Sequence, residues 1–267
     1  MRRKRGGGSL IIALAIVAFA AMRFFGSTSV NPVTGKTERV SMSAEQEIAL
    51  GLQSRDQMAQ QFGGLYPDRE TQLYIDQIGE RLVRMSDAAR SPYPFDFHVL
   101  NDPKTVNAFA LPGGQIFITT ALLTRLREAN GSISEDQVAG VLGHEIAHVI
   151  ERHGAERMAE QEFFQTLTGA AGVATGNASS QQMAQMVANF VSMSYGRKDE
   201  LESDDWGVKY MIQAGYDPSQ MVKVMQVLKE ASGGTSQPEF SSTHPSPENR
   251  IEQINFSIQK WNSELGR

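Results

Sequence analysis

The pentapeptide from His144 to His148 constrains this chain more than any other feature of its sequence. It reads His-Glu-Ile-Ala-His, which is the His-Glu-x-x-His pattern of helical zinc sites. Two residues four apart lie on the same face of an α-helix, so both imidazoles are directed at one metal ion. Glu145 projects beside that ion, where a carboxylate can accept a proton from water. The motif therefore predicts zinc-dependent hydrolysis with Glu145 as the general base.

The residues around the motif predict that its helix, over 136–153, is mostly buried. Apolar residues occupy more than one face of this helix: Val138, Val141, Leu142, Ile146, Val149 and Ile150. The alternative is an exposed helix whose histidines are only solvated. Burial favours the metal site, because a buried carboxylate and buried imidazoles need partners and a metal ion supplies them.

A third ligand is expected downstream, because catalytic zinc usually has three protein ligands and one open position. Glu200 and Asp204 are four apart at the start of a predicted helix over 200–214. Glu200 is the candidate ligand, and Asp204 is the candidate acid that orients a histidine. Glu202 and Asp205 are competitors, and a solvated acidic helix start is an equal alternative. Spacing alone does not choose between them.

Two further segments predict a small antiparallel sheet. Apolar and polar residues alternate over 95–99, and the run 107–111 is followed by Pro-Gly-Gly and by 116–119. An edge strand beside a metal-binding helix can pair with an extended substrate, which makes Asn107, Ala108 and Phe109 candidate substrate-binding residues. An ordinary hairpin is the alternative.

The fold class predicted from these patterns is α+β, mainly helical, with one small antiparallel sheet beside the helix of the metal motif. The other helices are expected over 43–61, 68–86, 120–129, 218–231 and 247–262, with Ser43, Asp68 and Ser246 as N-caps.

Four separated blocks carry a resemblance to a known family. They are the run from Val106 to Thr119, the His144 motif, the run from Glu200 to Asp204, and His244-Pro245 with Arg250. In order and spacing they resemble the metallopeptidase family that includes the HtpX heat-shock protease, the periplasmic protease BepA, the CAAX prenyl protease and the mitochondrial inner-membrane stress protease. The resemblance covers roughly residues 40 to 260. Gly196 and Ser203 depart from the usual residues of relatives and leave the ligand positions intact.

The resemblance implies a zincin-like, gluzincin-type endopeptidase with one zinc ion per chain. Its ligands would be His144, His148 and Glu200, supported by Asp204. His244, and Arg250 with it, would face the zinc from the far side. There His244 either stabilises the oxyanion or occupies the open position and holds the enzyme latent. A charge pair on a helix is the simpler role for Arg250.

Two neighbouring residues are expected to be structural. His153 lies five residues beyond His148 and therefore off the metal-facing side of the helix. Tyr195 is expected to be a packed aromatic side chain, with assistance near the oxyanion as the alternative.

The resemblance also implies the substrates, which would be misfolded or damaged proteins of the cell envelope or its membranes. A latent or non-catalytic zinc-containing domain of chaperone-like function is the alternative. A homo-oligomer is left open. The segment over 163–191 predicts two packed helices with a connection, or a lid over the site.

The N-terminus predicts export. Arg2, Arg3, Lys4 and Arg5 precede an apolar run from Leu10 to Met22, as in a signal peptide or signal anchor over 1–28. A linker over 29–42 and a zinc metallopeptidase domain over 43–267 would follow. The prediction is thus a membrane-anchored protein that faces the periplasm or another extracytoplasmic space.

Charge and cysteine content exclude other classes. Residues 1–28 contain five of the 25 basic residues and none of the 30 acidic ones, so the remainder is acidic. This balance argues against nucleic-acid binding. The chain has no cysteine, which excludes disulfides and a lipid-modified cysteine.

Overall fold

The computed structural model describes residues 6–175, 195–232, 244 and 249–266. The described helices are α1 (Gly6–Gly26), α2 (Ala44–Gln61), α3 (Arg69–Met85), α4 (Thr120–Arg125), α5 (Glu135–Ile150), α6 (His153–Thr175), α7 (Arg197–Ala214), α8 (Gln220–Ser232) and α9 (Arg250–Leu265). The described strands are β1 (Thr28–Val30), β2 (Thr37–Arg39), β3 (Asp96–Leu100), β4 (Ala108–Leu111) and β5 (Gln115–Thr119). The predicted fold class, mainly helical α+β, is confirmed.

Two predicted helix starts have the expected capping geometry. Ser43 forms a capping box with Gln46, in which each side chain accepts a hydrogen bond from the backbone N–H of the other residue. The Asp68 carboxylate accepts from the backbone N–H of Thr71 at 3.0 Å. The predicted cap at Ser246 lies outside the described residues, and α9 begins at Arg250.

The sheet beside α5 has three strands in the order β3-β5-β4. The β4–β5 pair is antiparallel, as predicted, whereas β3 runs parallel to β5. The sequence indicated the hairpin but not this order, because β5 inserts between two strands that follow one another along the chain. One edge of the sheet is therefore β4, which packs against α5.

Helix α5 lies at the centre of the fold and contacts α3, α7, α8 and the sheet. Every residue from Val138 to Ile150 is buried. Two glycines allow α5 and α7 to approach closely. A Cβ atom on Gly207 would lie 3.1 Å from the backbone nitrogen of His144, and one on Gly143 would lie 3.3 Å from the Gly207 carbonyl oxygen. This close approach brings the acidic face of α7 to the histidines of α5.

Part of the predicted linker forms the β1–β2 hairpin, which packs on the end of α5. The Asn31 side chain is buried and donates to the Ile150 carbonyl oxygen at 2.6 Å and to Glu38. It also accepts from the backbone N–H of Val33 at 2.9 Å. The hairpin thereby satisfies a carbonyl group at the C-terminus of α5. The division of the chain into three parts stays a prediction.

The predicted membrane anchorage is wrong: among the helices of the described residues, none combines the length and the apolar character needed to cross a membrane. The apolar run of α1 covers only Leu10 to Met22 and stops at Arg23, which pairs with Glu162 of α6 at 3.1 Å. Most of the segment over 163–191, with its predicted connection or lid, lies outside the described residues. In the described part α6 continues to Thr175.

Candidate metal centre

Helix α5 directs two imidazoles at one point, as the motif predicts. The Nε2 atoms of His144 and His148 lie 3.0 Å apart, and both side chains are buried. Glu145 lies between them in sequence and is fully buried. Neither of its carboxylate oxygens has a hydrogen-bond partner among the described residues.

Helix α7 and His244 complete the cluster. The Glu200 carboxylate lies 3.5 Å from Nε2 of His144 and 3.3 Å from Nε2 of His148. Nδ1 of His244 lies 3.0 Å from Glu200 Oε1 and 3.4 Å from Nε2 of His144. Each of the four side chains thus offers one ligand atom, and these atoms all lie within 4.8 Å of one another. Glu202 and Asp205, the competitors of Glu200, do not join this cluster.

The chemistry of these donors fits a zinc ion. Imidazole nitrogen and carboxylate oxygen are ligands that zinc takes in proteins, usually four of them in a tetrahedron. The Nε2 atoms of His144 and His148 and the Glu200 carboxylate converge in one small buried volume, where a cation bound between them would make their approach favourable. The buried carboxylate of Glu145 beside them also needs a partner. A divalent cation, with water beside it, meets both needs.

Asp204 and Arg250 support this cluster from one side. Asp204 Oδ1 lies 2.9 Å from Nδ1 of His144, and the same carboxylate accepts from Arg250 at 2.6 and 2.9 Å. Arg250 also pairs with Glu200 Oε2 at 3.0 Å. Arg250 is the first residue of α9, is buried, and contacts both Glu200 and Asp204 of α7.

The two histidines of α5 have different electrostatic surroundings. Burial alone lowers the pKa of His144, but its hydrogen bonds with Asp204 and Glu200 outweigh burial and raise this pKa to about 9. Burial lowers the pKa of His148 to about 3, against the opposing effect of Glu200. His148 is therefore a neutral imidazole, which is the form that binds metal.

Burial also affects the acids of the centre. It raises the pKa of Glu145, although His244 and His144 oppose the change. Burial acts in the same direction on Glu200, but His244 and Arg250 outweigh it and hold the pKa of Glu200 well below its ordinary value. Glu200 is thus ionised, as a metal ligand must be.

His153 contacts the centre in a way that sequence reasoning missed. Its Nδ1 lies 3.0 Å from Nδ1 of His148, on the side away from the cluster, and 3.3 Å from Ser203 Oγ. The chain turns between α5 and α6 at Arg152, whose φ of 56° is left-handed. This turn brings His153 back to His148, whereas a continuous helix would carry it away. Helix spacing gave no signal for this contact.

Tyr195 is the packed aromatic side chain that was expected. Its ring stacks on the imidazole of His148 with centroids 4.0 Å apart, and it is buried. Burial raises the pKa of its hydroxyl.

A second group of donors already faces a positive charge from the protein. Glu151, His153 and Glu202 each offer an atom within 4.8 Å of the others. The Lys36 ammonium pairs with Glu151 at 3.5 Å and also with Glu202. Lysine therefore supplies the cation at this position.

The predicted substrate-binding residues lie in and next to the edge strand β4. The Phe109 ring stacks on Phe117 of β5 with centroids 4.9 Å apart, and the side chain of Ala108 is in the core. Asn107 is fully buried, and its amide group has no hydrogen-bond partner within the described ranges. All three residues are buried, and their role in substrate binding stays a prediction.

The chain is similar to known peptidases over most of its length. Residues 69–257 match the model of peptidase family M48. The chain is 29% identical over 244 residues to the mitochondrial metalloendopeptidase OMA1 of Schizosaccharomyces pombe, a match that covers 90% of this chain and 69% of the relative. It is 31% identical over 254 residues to the beta-barrel assembly-enhancing protease of Escherichia coli, which covers 90% of this chain and 50% of the relative. The chain thus spans about half the length of the second relative. The predicted resemblance is confirmed: the chain belongs to peptidase family M48 and is a metalloendopeptidase.

Proposed function

We propose that this chain is a zinc-dependent endopeptidase that hydrolyses peptide bonds of misfolded or damaged proteins, including proteins of the cell envelope. The observation that carries the proposal is the convergence of His144, His148 and Glu200 beside the buried carboxylate of Glu145. The name of the beta-barrel assembly-enhancing protease supports the envelope as one source of substrates.

His144, His148 and Glu200 would hold one zinc ion. Zinc bound there would polarise the scissile carbonyl group and make water a better nucleophile near neutral pH. Glu145 would accept the proton of the attacking water and later deliver it to the leaving amine nitrogen. Its position suits both steps, because neither of its oxygens is engaged by another described side chain in a hydrogen bond.

The surrounding residues would fix the orientation of the ligands. Nδ1–H of His144 would donate to Asp204, which leaves Nε2 of the same ring to face the metal. Arg250 would fix the carboxylates of Asp204 and Glu200 in position relative to each other, since it pairs with both. On the other histidine, Nδ1–H of His148 would donate to His153.

The substrate would bind as an extended strand along β4. This strand is the edge of its sheet and packs on α5. Main-chain pairing at Asn107, Ala108 and Phe109 would then position the scissile bond without reading its side chains.

His244 favours a second candidate function, a latent enzyme. Its Nδ1 is one of the four converging donor atoms, so it would occupy the position that a catalytic site keeps open. In this alternative the chain binds zinc and unfolded polypeptides, and hydrolysis begins only after His244 moves. The opposite role, stabilisation of the oxyanion, requires His244 to remain beside the substrate.

The test combines zinc content with hydrolysis of unfolded casein, for the full chain and for Glu145→Gln. We expect one zinc per chain in both proteins. Hydrolysis should fall by about 10²- to 10⁴-fold in the variant, as expected for loss of a general base.

The matched control is Glu135→Gln, the same change at the exposed first turn of the same helix, which should hydrolyse casein normally. Absence of zinc would refute the proposal. Zinc in both proteins without hydrolysis in either would favour the latent or non-catalytic alternative.

A further inference from the structure

The two histidines of α5 are supported from behind in different ways. Nδ1 of His144 lies beside the carboxylate of Asp204, which pairs with Arg250. Nδ1 of His148 instead faces another imidazole, with Nδ1 of His153 at 3.0 Å. An ionised carboxylate can only accept a hydrogen bond, whereas a neutral imidazole has one donor nitrogen and one acceptor nitrogen. His153 therefore supports His148 only when its acceptor nitrogen faces that ring.

The contacts of His148 determine where its proton must lie. Its Nε2 faces the centre, 3.0 Å from Nε2 of His144 and 3.3 Å from Glu200. The next step rests on the proposed function, in which this Nε2 binds zinc, so that the proton of His148 lies on Nδ1. That proton points at Nδ1 of His153, where a second proton would bring two N–H groups together. The proton of His153 must accordingly lie on its Nε2.

The carboxylate of Glu202 faces this other nitrogen of His153. Its Oε2 lies 3.6 Å from Nε2 of His153. A negative carboxylate favours an N–H group on the nitrogen that it faces and disfavours a lone pair there. Lys36, in the turn of the β1–β2 hairpin, pairs with Glu202 and also with Glu151, so it holds the carboxylate in place.

We propose that Glu202 is a positioning residue for the metal ligand His148 and acts by fixing the tautomer of His153. A basic residue, an acid and an imidazole then stand behind His148, as a basic residue and an acid stand behind the other histidine of α5. This arrangement extends the metal centre to the β1–β2 hairpin and Lys36, which precede the residues 69–257 that match the family model.

Ser203 offers a competing arrangement. Its Oγ lies 3.3 Å from Nδ1 of His153, and its hydroxyl would donate to the same lone pair. The shorter distance from His148, 3.0 Å, favours His148 as the donor. Ser203→Ala removes the competitor at a buried position with little change in volume, and it should leave zinc affinity unchanged.

The experiment measures the zinc affinity of the full chain by competition with a chromophoric chelator. Glu202→Gln keeps the size of the side chain but loses the charge that selects one tautomer of His153. We expect zinc affinity to fall about tenfold, the lower end of the range for groups that support a ligand from outside. Glu151→Gln is the matched control, because it removes the same charge beside Lys36 and pairs with that lysine rather than with His153. It should stay within about threefold of the wild type.

A further replacement separates positioning from a general effect of charge. His153→Asn places an amide oxygen close to the site of Nδ1, and this oxygen accepts from His148 without a tautomer to fix. In the His153→Asn background, Glu202→Gln should therefore change zinc affinity by about threefold or less. A purely structural role of Glu202 would give the same loss in both backgrounds.

A second measurement uses the wild type and does not depend on how well Glu202→Gln folds. In the ¹⁵N-labelled, zinc-loaded full chain, the imidazole ¹H–¹⁵N spectrum of the five histidines reports which nitrogen of each ring is protonated. We expect the proton of His153 on Nε2, with its signals assigned by their absence in His153→Asn.

The outcomes separate this inference from the proposed function. A proton on Nδ1 of His153, a loss in Glu202→Gln no larger than in Glu151→Gln, or an equal loss in both backgrounds would overturn the inference and leave the proposed function standing. A tenfold loss in Ser203→Ala would assign the lone pair of His153 to Ser203 and would overturn it too. If the wild type binds no zinc, the proposed function fails and this inference with it.

Discussion

Replacing Asp204 with asparagine should weaken zinc binding without unfolding the protein. Asparagine has nearly the same shape and keeps an oxygen that accepts from Nδ1–H of His144. It loses the negative charge, and its NH₂ group would face the guanidinium of Arg250. Both groups are hydrogen-bond donors, so the bond to Arg250 would be lost. The position is buried, with 1% of Asp204 exposed, so water cannot replace the lost interaction.

The size of the effect follows from the bonds that Asp204 makes. It accepts from His144 and from Arg250 at distances between 2.6 and 2.9 Å, the range of charge-assisted hydrogen bonds. Loss of one such bond costs about 1.5–3 kcal/mol. Since 1.4 kcal/mol is about a factor of ten, zinc affinity should fall about 10- to 100-fold.

Competition with a chromophoric chelator measures this affinity directly and does not depend on hydrolysis. The chain offers a matched control one residue away. Asp205 accepts from Ser257 at 2.6 Å and Trp261 at 3.1 Å and pairs with Lys260, all on α9. Asp205→Asn makes the same chemical change outside the metal centre and should lower the melting temperature without changing zinc affinity.

Two results would refute this reasoning. If Asp204→Asn binds zinc within about threefold of the wild type, its bond to His144 does not support the ligand. If Asp205→Asn loses as much affinity as Asp204→Asn, the effect belongs to the docking of α9 rather than to His144.

Three further predictions test other parts of the structure. If the state in which His244 blocks the open metal position is favoured over the open state by about 1.4 kcal/mol, His244→Ala should raise casein hydrolysis about tenfold. The release of fluorescent peptides from labelled casein measures this rate. Burial raises the pKa of Glu38 to about 7, against opposing effects of Asn31 and Arg152. Between these two pKa values, 4.5 for the unfolded state and about 7 for the native state, native Glu38 keeps a proton that the unfolded state has lost. The free energy of unfolding therefore falls as pH rises from about 4.5 to about 7. Glutamine does not titrate, so the free energy of unfolding of Glu38→Gln, measured in urea relative to the wild type, should be up to about 3 kcal/mol higher at pH 8 than at pH 5. Gly113→Ala should lower the melting temperature by about 6–12 °C, because it adds strain at a φ of 84° and a contact of 2.5 Å with α2.

Each of these predictions has its own control or contradiction. His98→Ala removes a buried histidine of the sheet and should not activate hydrolysis. A loss of hydrolysis in His244→Ala would instead support the oxyanion role. Equal effects of Glu38→Gln at pH 5 and pH 8 would contradict the burial argument. Gly131→Ala also has a positive φ, of 86°, but a Cβ there meets nothing within 4 Å, so it should cost only the strain, about 1 kcal/mol.

The helix of the metal motif could be predicted from sequence because its evidence is local. The spacing of His144 and His148 and the apolar residues around them fix one helix and its burial. The caps at Ser43 and Asp68 are local for the same reason. The parallel pairing of β3 with β5 is not local, since no hairpin signal specifies which strand inserts between two others.

The choice of Glu200 over Glu202 and Asp205 depends on which face of α7 meets α5. Local spacing does not contain that information. A weak signal was present in the glycines, because Gly207 lies two turns beyond Glu200 on the same face and opposes Gly143. Two helices pack closely where small residues face each other, so these glycines would have favoured the face of α7 with Glu200 and Asp204 as the one that meets α5.

Charge balance explains why these residues belong together. Glu145, Glu200 and Asp204 are buried carboxylates, and Arg250 is the one buried guanidinium that contacts this group in the described part of the chain. Imidazoles bind a metal in the neutral form, so His144 would release its proton, and with the three carboxylates ionised the group would then have a formal charge of −2. A net buried charge is costly. A monovalent cation would leave half of that charge, whereas one divalent ion removes it. The sequence shows the acids and the arginine, but only the packing of α5, α7 and α9 shows that they share one buried volume. That shared volume is the physical reason to expect a divalent metal ion between His144 and His148.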